Sequence, residues 1–180
     1  SWRAAYQKQK HSHVNTYGFT QGHRPEDLSG IVRECLRKAE MWGYGILIVI
    51  LDILIAFDEM THETLAISNG AMQVDINSRI AARNDYFDKC ATIRIGHAGA
   101  PKPVNSSKGG WQGGVGTPDQ FNIAMRATLE DVVEIWTILG VGCSLTNQDG
   151  KEVQLHHLLW AVNLVVIASD VEEAQEMLDD

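Results

Sequence analysis

Leu158-Leu159-Trp160-Ala161-Val162-Asn163-Leu164-Val165-Val166-Ile167-Ala168 is two apolar runs meeting at a two-residue joint, Val162-Asn163. Runs of this length and composition predict a hairpin of buried strands. Asparagine suits the bend, because its short amide side chain tolerates turn conformations. Nothing in the hairpin alone carries chemistry, so its meaning depends on what lies upstream.

Upstream, periodicity predicts strands alternating with helices. From Pro25 to Trp42, apolar residues fall at Leu28, Ile31, Val32, Cys35, Leu36, Ala39 and Trp42, with Pro25 suited to the first turn and Glu26 and Asp27 to its positive end. Gly43 is placed to stop that helix. Ile46 to Asp52 is a continuous run rich in branched residues, as expected of a strand buried on both faces. Met60 to about Tyr86 reads as helix, Cys90 to Ile95 as a short strand, and Gly96 to Ser107 as a connection. Thr117-Pro118-Asp119-Gln120 has a capping-box pattern, and Phe121, Met125, Leu129, Val132, Val133, Trp136 and Leu139 continue it as an apolar stripe. Strands near Gly142 to Thr146, Val153 to Trp160 and Leu164 to Ala168 follow, then an acidic helix from Asp170.

Composition sets the outer bounds. A chain of 180 residues, 44% hydrophobic and 21% charged, fits one domain with a sizeable core. Cys35, Cys90 and Cys143 show no metal-ligand spacing and read as buried thiols in a reducing, intracellular setting. The polar segment through Lys10 has no signal-peptide pattern. Gly45 to Phe57, the most apolar stretch, falls short of the roughly 20 residues of a membrane span, and it carries Asp52 in its middle. The chain opens on Ser1 rather than methionine, as a piece of a longer protein would. Charge is uneven: seven Lys or Arg face three acidic residues up to Lys38, whereas two face twelve from Asp119 onward. The N-terminal part could meet a polyanion, but the net charge of −8 leaves few cations for phosphate binding.

Three segments could carry chemistry. In Leu51-Asp52-Ile53-Leu54-Ile55-Ala56-Phe57-Asp58 a carboxylate ends an apolar strand. Such an Asp is commonly a turn residue, and the functional alternative is a ligand for Mg²⁺, which prefers carboxylate oxygens. Lys108-Gly109-Gly110-Trp111-Gln112-Gly113-Gly114-Val115-Gly116-Thr117-Pro118 is a glycine-rich loop entering a helix. It suits either a flexible connection or close backbone approach to a ligand, and it lacks the P-loop pattern. The third is the hairpin. His156 and His157, adjacent on an expected strand, should point to opposite faces and share no site, and His11 and His13 read as solvated.

Taken in order, these pieces resemble the reverse-transcriptase domain of non-LTR retroelements and group II intron polymerases. Tyr17-Gly18-Phe19 is similar to that family's YGF segment, and Asp52 to Asp58 to its DxxxAFD motif. Lys108 to Asn122 resembles RGxxQGxxxSPxxFN, with Thr117 in place of serine, and Trp160 to Ala168 resembles the aromatic-Ala-Asp-Asp hairpin. About nine-tenths of the chain is covered.

The resemblance implies an α+β fold, the palm of a right-hand polymerase with an antiparallel sheet packed on helices, partial fingers and no recognisable thumb. It implies a polar segment over residues 1–16 and a partial domain over 17–180. By this resemblance Asp52 is the aspartate that binds both catalytic Mg²⁺ ions, Phe57 the aromatic gate against the incoming sugar, and Gln112 and Gly113 the loop against nucleotide and template. The implied partners are an RNA template, a DNA primer and deoxynucleotides, with no membrane.

The departures are as specific as the matches. Val162 and Asn163 stand where the family carries its paired aspartates, leaving Asp52 as the only one of the three carboxylates, and Thr20 stands where relatives carry arginine. Valine offers no oxygen and an amide only a neutral one. Each ~1.4 kcal/mol of lost transition-state stabilisation is about tenfold in rate, so the pattern implies a retroelement-derived polymerase that is severely impaired. The alternative is a noncatalytic module that keeps the fold to hold RNA or a protein.

Overall fold

Pro25 opens helix α1 (Pro25–Trp42), where its missing N–H is not needed. The Asp27 carboxylate accepts from the Arg24 N–H at 2.8 Å, and Gly43 closes the helix at φ 70°, its N–H donating to Ala39 at 2.9 Å. In this computed structural model the described residues are 14–86, 90–93, 102–106, 108–110, 113–146 and 150–179. Contacts divide the described residues into two compact units, one within 55–127, the other within 14–54 and 128–179.

The second unit holds a three-stranded antiparallel sheet in the order β1 (Leu47–Asp52), β7 (Asn163–Ala168), β6 (His157–Trp160). A hairpin of β4 (Cys143–Thr146) and β5 (Glu152–Leu155) accompanies it. The core joins Cys35 of α1 to Cys143, Leu155, Leu158, Val165 and Ile167, with Leu28, Ile31, Val32 and Ile48 packed against them. Burial of these side chains is the main driving force, about 1.5–3 kcal/mol for each large one. Helix α6 (Val171–Asp179) buries Ala174 and Met177, and the Asp170 carboxylate caps it by accepting from the Glu173 N–H at 2.9 Å.

Three expectations for this unit change. Strand β1 is an edge strand and is not buried on both faces: Ile50 is 68% exposed, while β7, paired on both sides, is buried from Leu164 to Ala168. A run of branched residues looks the same in either position. The expected strand Val153–Trp160 is interrupted at His156, so that β5 and β6 belong to different sheets. The hairpin loop is Ala161-Val162, with Ala161 at φ 53°, and Asn163 is the first residue of β7 rather than the bend.

The break at His156 also brings the two histidines together. Their rings stack at 4.9 Å with 22° between planes, Nδ1 to Nδ1 at 2.8 Å, both buried. The prediction of opposite faces fails because His156 is outside the pleat. The bonding network fixes their protons. Asn15 N–H donates to His157 Nε2 at 2.9 Å, so the His157 proton is on Nδ1 and is donated to His156 Nδ1. His156 Nε2–H then donates to Thr137 Oγ1 at 3.1 Å, and the Thr137 hydroxyl to the Val133 carbonyl at 2.7 Å. Desolvation pulls His156 down to about 4 and His157 to about 3, so both are neutral near pH 7.

The first unit carries α2 (Ala56–Glu59), α3 (His62–Ala71), α4 (Ile76–Tyr86), a hairpin of β2 (Cys90–Ile93) and β3 (Lys102–Asn105), and the start of α5 (Thr117–Leu139), which ends in the other unit. The helix expected from Met60 to Tyr86 is two. Gln73, at φ 52°, ends the first by donating to Gly70, and Asp75 starts the second by accepting from the Asn77 and Ser78 N–H groups, each at 3.1 Å. Strand β3 falls inside the expected connection. The capping box at Thr117 does not form: Gln120 is buried and its side chain bonds to Asn69 instead. His11 and His13 lie outside the described residues. No helix among the described residues is long and apolar enough to cross a membrane.

Candidate active site

In the second unit, the β1–β7 register sets Asp52 directly opposite Asn163, and Asn163 is also paired with Trp160 across the hairpin. The Ile53 N–H donates to the Val162 carbonyl at 3.0 Å, so the chain leaving Asp52 is tied to the loop. Asp52, Val162 and Asn163 therefore share one end of the sheet, and Asp52 is exposed there. Tyr17-Gly18 packs onto the same end. Tyr17 N–H donates to the Leu159 carbonyl at 2.8 Å, and Leu159 N–H to Asn15 at 2.8 Å.

In the first unit, Phe57 is half-buried and its ring meets Phe121 at 4.9 Å, 46° between planes. The glycine loop is fastened beneath it. Gly109 N–H donates to Met60 at 2.8 Å and Gly110 N–H to Phe57 at 2.9 Å. At Gly109, φ is 85° and a β-carbon would lie 3.2 Å from the Asp58 carbonyl oxygen, so close approach at this position serves the chain's own backbone. Gly113, at φ 83°, would bring a β-carbon within 4 Å of none of the described residues. Gln112 lies outside the described residues. Lys108, the loop's cation, is spent on Glu59 at 2.7 Å.

Between Asp52 and Phe57, Ile55 takes a left-handed conformation at φ 55°, ψ 30°. A branched side chain there costs on the order of 1–3 kcal/mol, and such outliers cluster at functional sites.

The donor set does not match a two-metal centre. Two divalent ions require several oxygen anions, whereas the sheet end offers one carboxylate, one neutral amide and a valine. No group of three or more His, Cys, Asp or Glu that could hold a metal occurs among the described residues. Basic charge on α1 is also partly engaged: Arg37 pairs with Glu34, and Lys38 is buried, its Nζ 3.4 Å from Thr146 Oγ1 and 5.1 Å from the Trp42 ring centre.

Two features of the molecule escaped sequence reading. The stacked histidines depend on a strand break, and the Asn69–Gln120 amide pair joins residues 51 apart in the chain. Only the unusual burial of such polar residues could have flagged either.

No family model matches the chain, and no curated protein matches it. Solved structures do. Apo telomerase from Candida tropicalis, truncated from the C-terminal domain, superimposes with a TM-score of 0.67 at 12% identity, covering 99% of this chain and 34% of that one. Telomerase from Candida albicans in complex with the TWJ fragment of telomeric RNA gives 0.59 at 8% identity, covering 99% of this chain and 31% of that one. The chain thus spans about a third of the length of these structures. At such identities the likeness establishes the fold alone: an α+β, reverse-transcriptase-like fold related to that of telomerase.

Proposed function

We propose that the chain is a palm with partial fingers from a retroelement reverse transcriptase, whose ancestral reaction was RNA-templated DNA synthesis. The observation that carries this reading is Asp52 standing opposite Asn163 at the end of β1 and β7, beside the Ala161-Val162 loop, in a fold shared with telomerase. In this reading Asp52 is the remaining metal-binding carboxylate, Phe57 the gate at the sugar, and Gln112 and Gly113 the loop along nucleotide and template. Mg²⁺ served the ancestor. The present donor set does not fit two ions, so no metal-dependent step is assigned to this chain and catalysis is severely impaired.

The test is to build Val162→Asp with Asn163→Asp into the domain completed with fingers and thumb and to assay primer extension on RNA. Mg²⁺-dependent extension by the double variant, absent from the parent, is expected. No gain sinks the explanation by these two positions.

A second reading is favoured by the same substitutions together with the RNA-bound telomerase neighbour: a noncatalytic module that holds RNA. It predicts salt-dependent RNA binding without Mg²⁺ that survives Asp52→Ala.

A further inference from the structure

Strand β1 runs Leu47-Ile48-Val49-Ile50-Leu51 before Asp52, the same five residues in either direction. That stretch is wholly apolar, yet none of the five is buried, and Ile50 is 68% exposed. Edge strands are ordinarily guarded by a charge, a proline or a bulge. Among the described residues β1 pairs with β7 alone, in unbroken register, and carries none of these guards before Asp52.

Two bonds fix the direction of its free backbone groups. Ile53 N–H donates to the Val162 carbonyl, and Ile167 N–H donates to the His156 carbonyl on the other side of β7. Bonding alternates along an antiparallel pair. Leu47, Val49 and Leu51 therefore turn their N–H and C=O groups toward β7, and those of Ile48 and Ile50 point out from the open edge. The far edge of the sheet differs, because β6 is already met by the segment before α1. Tyr17 N–H donates to Leu159, and Leu159 N–H to Asn15. Among the described residues, then, β1 is the open edge of this sheet.

We propose that β1 pairs antiparallel with β1 of a second copy of this chain, joining two three-stranded sheets into one of six. A two-fold axis at Val49 sets Ile48 opposite Ile50 of the second copy, outward groups against outward groups, and does so twice. An axis between two residues would set outward groups against groups already bonded to β7, so the register must centre on a residue. The palindrome centres on one. Side chains then match as well: Leu47 meets Leu51 of the second copy, Val49 meets Val49, and the exposed Ile50 is covered by Ile48. Asp52 falls opposite Ile46 of the second copy, which keeps the two carboxylates apart. A two-fold contact requires a self-complementary surface, and this strand has one. With β6 occupied, pairing ends at two copies and builds no filament. The inference needs only the sheet, so it stands apart from the polymerase reading.

The test is sedimentation of the 180-residue chain from micromolar to millimolar concentration. A monomer in equilibrium with a dimer is expected. Ile50→Lys, a charge at an exposed edge position, should weaken the dimer at least tenfold while the circular dichroism and thermal transition of the dilute chain persist. Disulfide trapping tests the register without relying on that variant. At the axis the two Val49 residues form a non-hydrogen-bonded pair with Cα atoms ~4.5 Å apart, within reach of a disulfide. Val49→Cys should therefore give a dimer linked through position 49, mapped by mass spectrometry, whereas Ile50→Cys, more exposed but off the axis, should not link to itself. A chain that stays monomeric overturns the proposal. So does a dimer that Ile50→Lys leaves intact, linkage at position 50 in preference to 49, or assembly past two copies. An apolar peptide of unrelated sequence that protects the Ile48 and Ile50 amides of a monomeric chain from exchange would assign the edge to a foreign strand and overturn it as well.

Discussion

Gly18 lies against Ala161 so closely that a β-carbon on Gly18 would overlap the Ala161 backbone nitrogen and sit 2.8 Å from its Cα. The segment before α1 and the β6–β7 loop therefore meet backbone to backbone. Phe19, next to Gly18, and Ala161 itself both adopt positive φ, 55° and 53°.

Gly18→Ala should destabilise the chain by at least about 2 kcal/mol, since the obstacle is backbone rather than a movable side chain. Gly30→Ala makes the opposite control. Gly30 is inside α1 with nothing within 4 Å of a β-carbon, so alanine should add about 0.5–1 kcal/mol. Urea denaturation of both variants checks the pair, and equal effects would remove the Gly18 contact as the cause.

Ile55 yields a prediction of gain. Its side chain is 54% exposed, so little burial is lost on replacement, whereas its left-handed backbone is strained. Ile55→Asn, which tolerates that region, should raise stability by about 1 kcal/mol, or about 2–4 °C in Tm. A lower Tm would mean that the strain is offset by contacts of the isoleucine.

Much of this was legible in the sequence, and the gaps have physical causes. Helix α1 carried its proline, acidic first turn and closing glycine in order, so local rules and tertiary packing agreed. The hairpin was legible but its bend was placed one residue late, because the left-handed turn position is held by Ala161, a residue with no turn preference of its own. Asp75, followed by Ser78, carried a start signal for α4 inside what read as one helix. The edge position of β1 was invisible, since strand order is a long-range property. Asp52 and Asn163 could be named from motifs, but their direct opposition came only from register.

The stacked histidines make the fold sensitive to acid. Both rings have depressed pKa values in the folded chain and ordinary ones near 6.5 when unfolded, so the unfolded state binds more protons between about 6.5 and the folded values of about 4 and 3. Stability should therefore fall as pH drops through that window, by up to about 1.4 kcal/mol per unit for each ring, and be fully present above it. The protonated form also has one donor too many for the Asn15–His157–His156–Thr137 chain. Urea midpoints from pH 7.5 to 5.5, above the main carboxylate range, should decline in the parent and stay nearly flat in a His156→Gln, His157→Gln variant. A flat parent profile would place the two rings in water.

Asn163→Asp tests the geometry at the sheet end without any assay of activity. It sets a second carboxylate directly across from Asp52, and like charges in a cross-strand pair cost about 0.2–1 kcal/mol. In EDTA the variant should melt about 1–4 °C below the parent. If the two carboxylates converge, a divalent cation that binds only the folded state will recover this loss, adding about 1.4 kcal/mol at tenfold its Kd. Mg²⁺ or Mn²⁺ should then raise the Tm of the variant and leave the parent unmoved, because the parent presents an amide there. A variant with the parent's Tm in EDTA and no response to either ion would mean that the side chains diverge despite their paired backbones, and Asp52 would lose its claim as a metal-binding remnant.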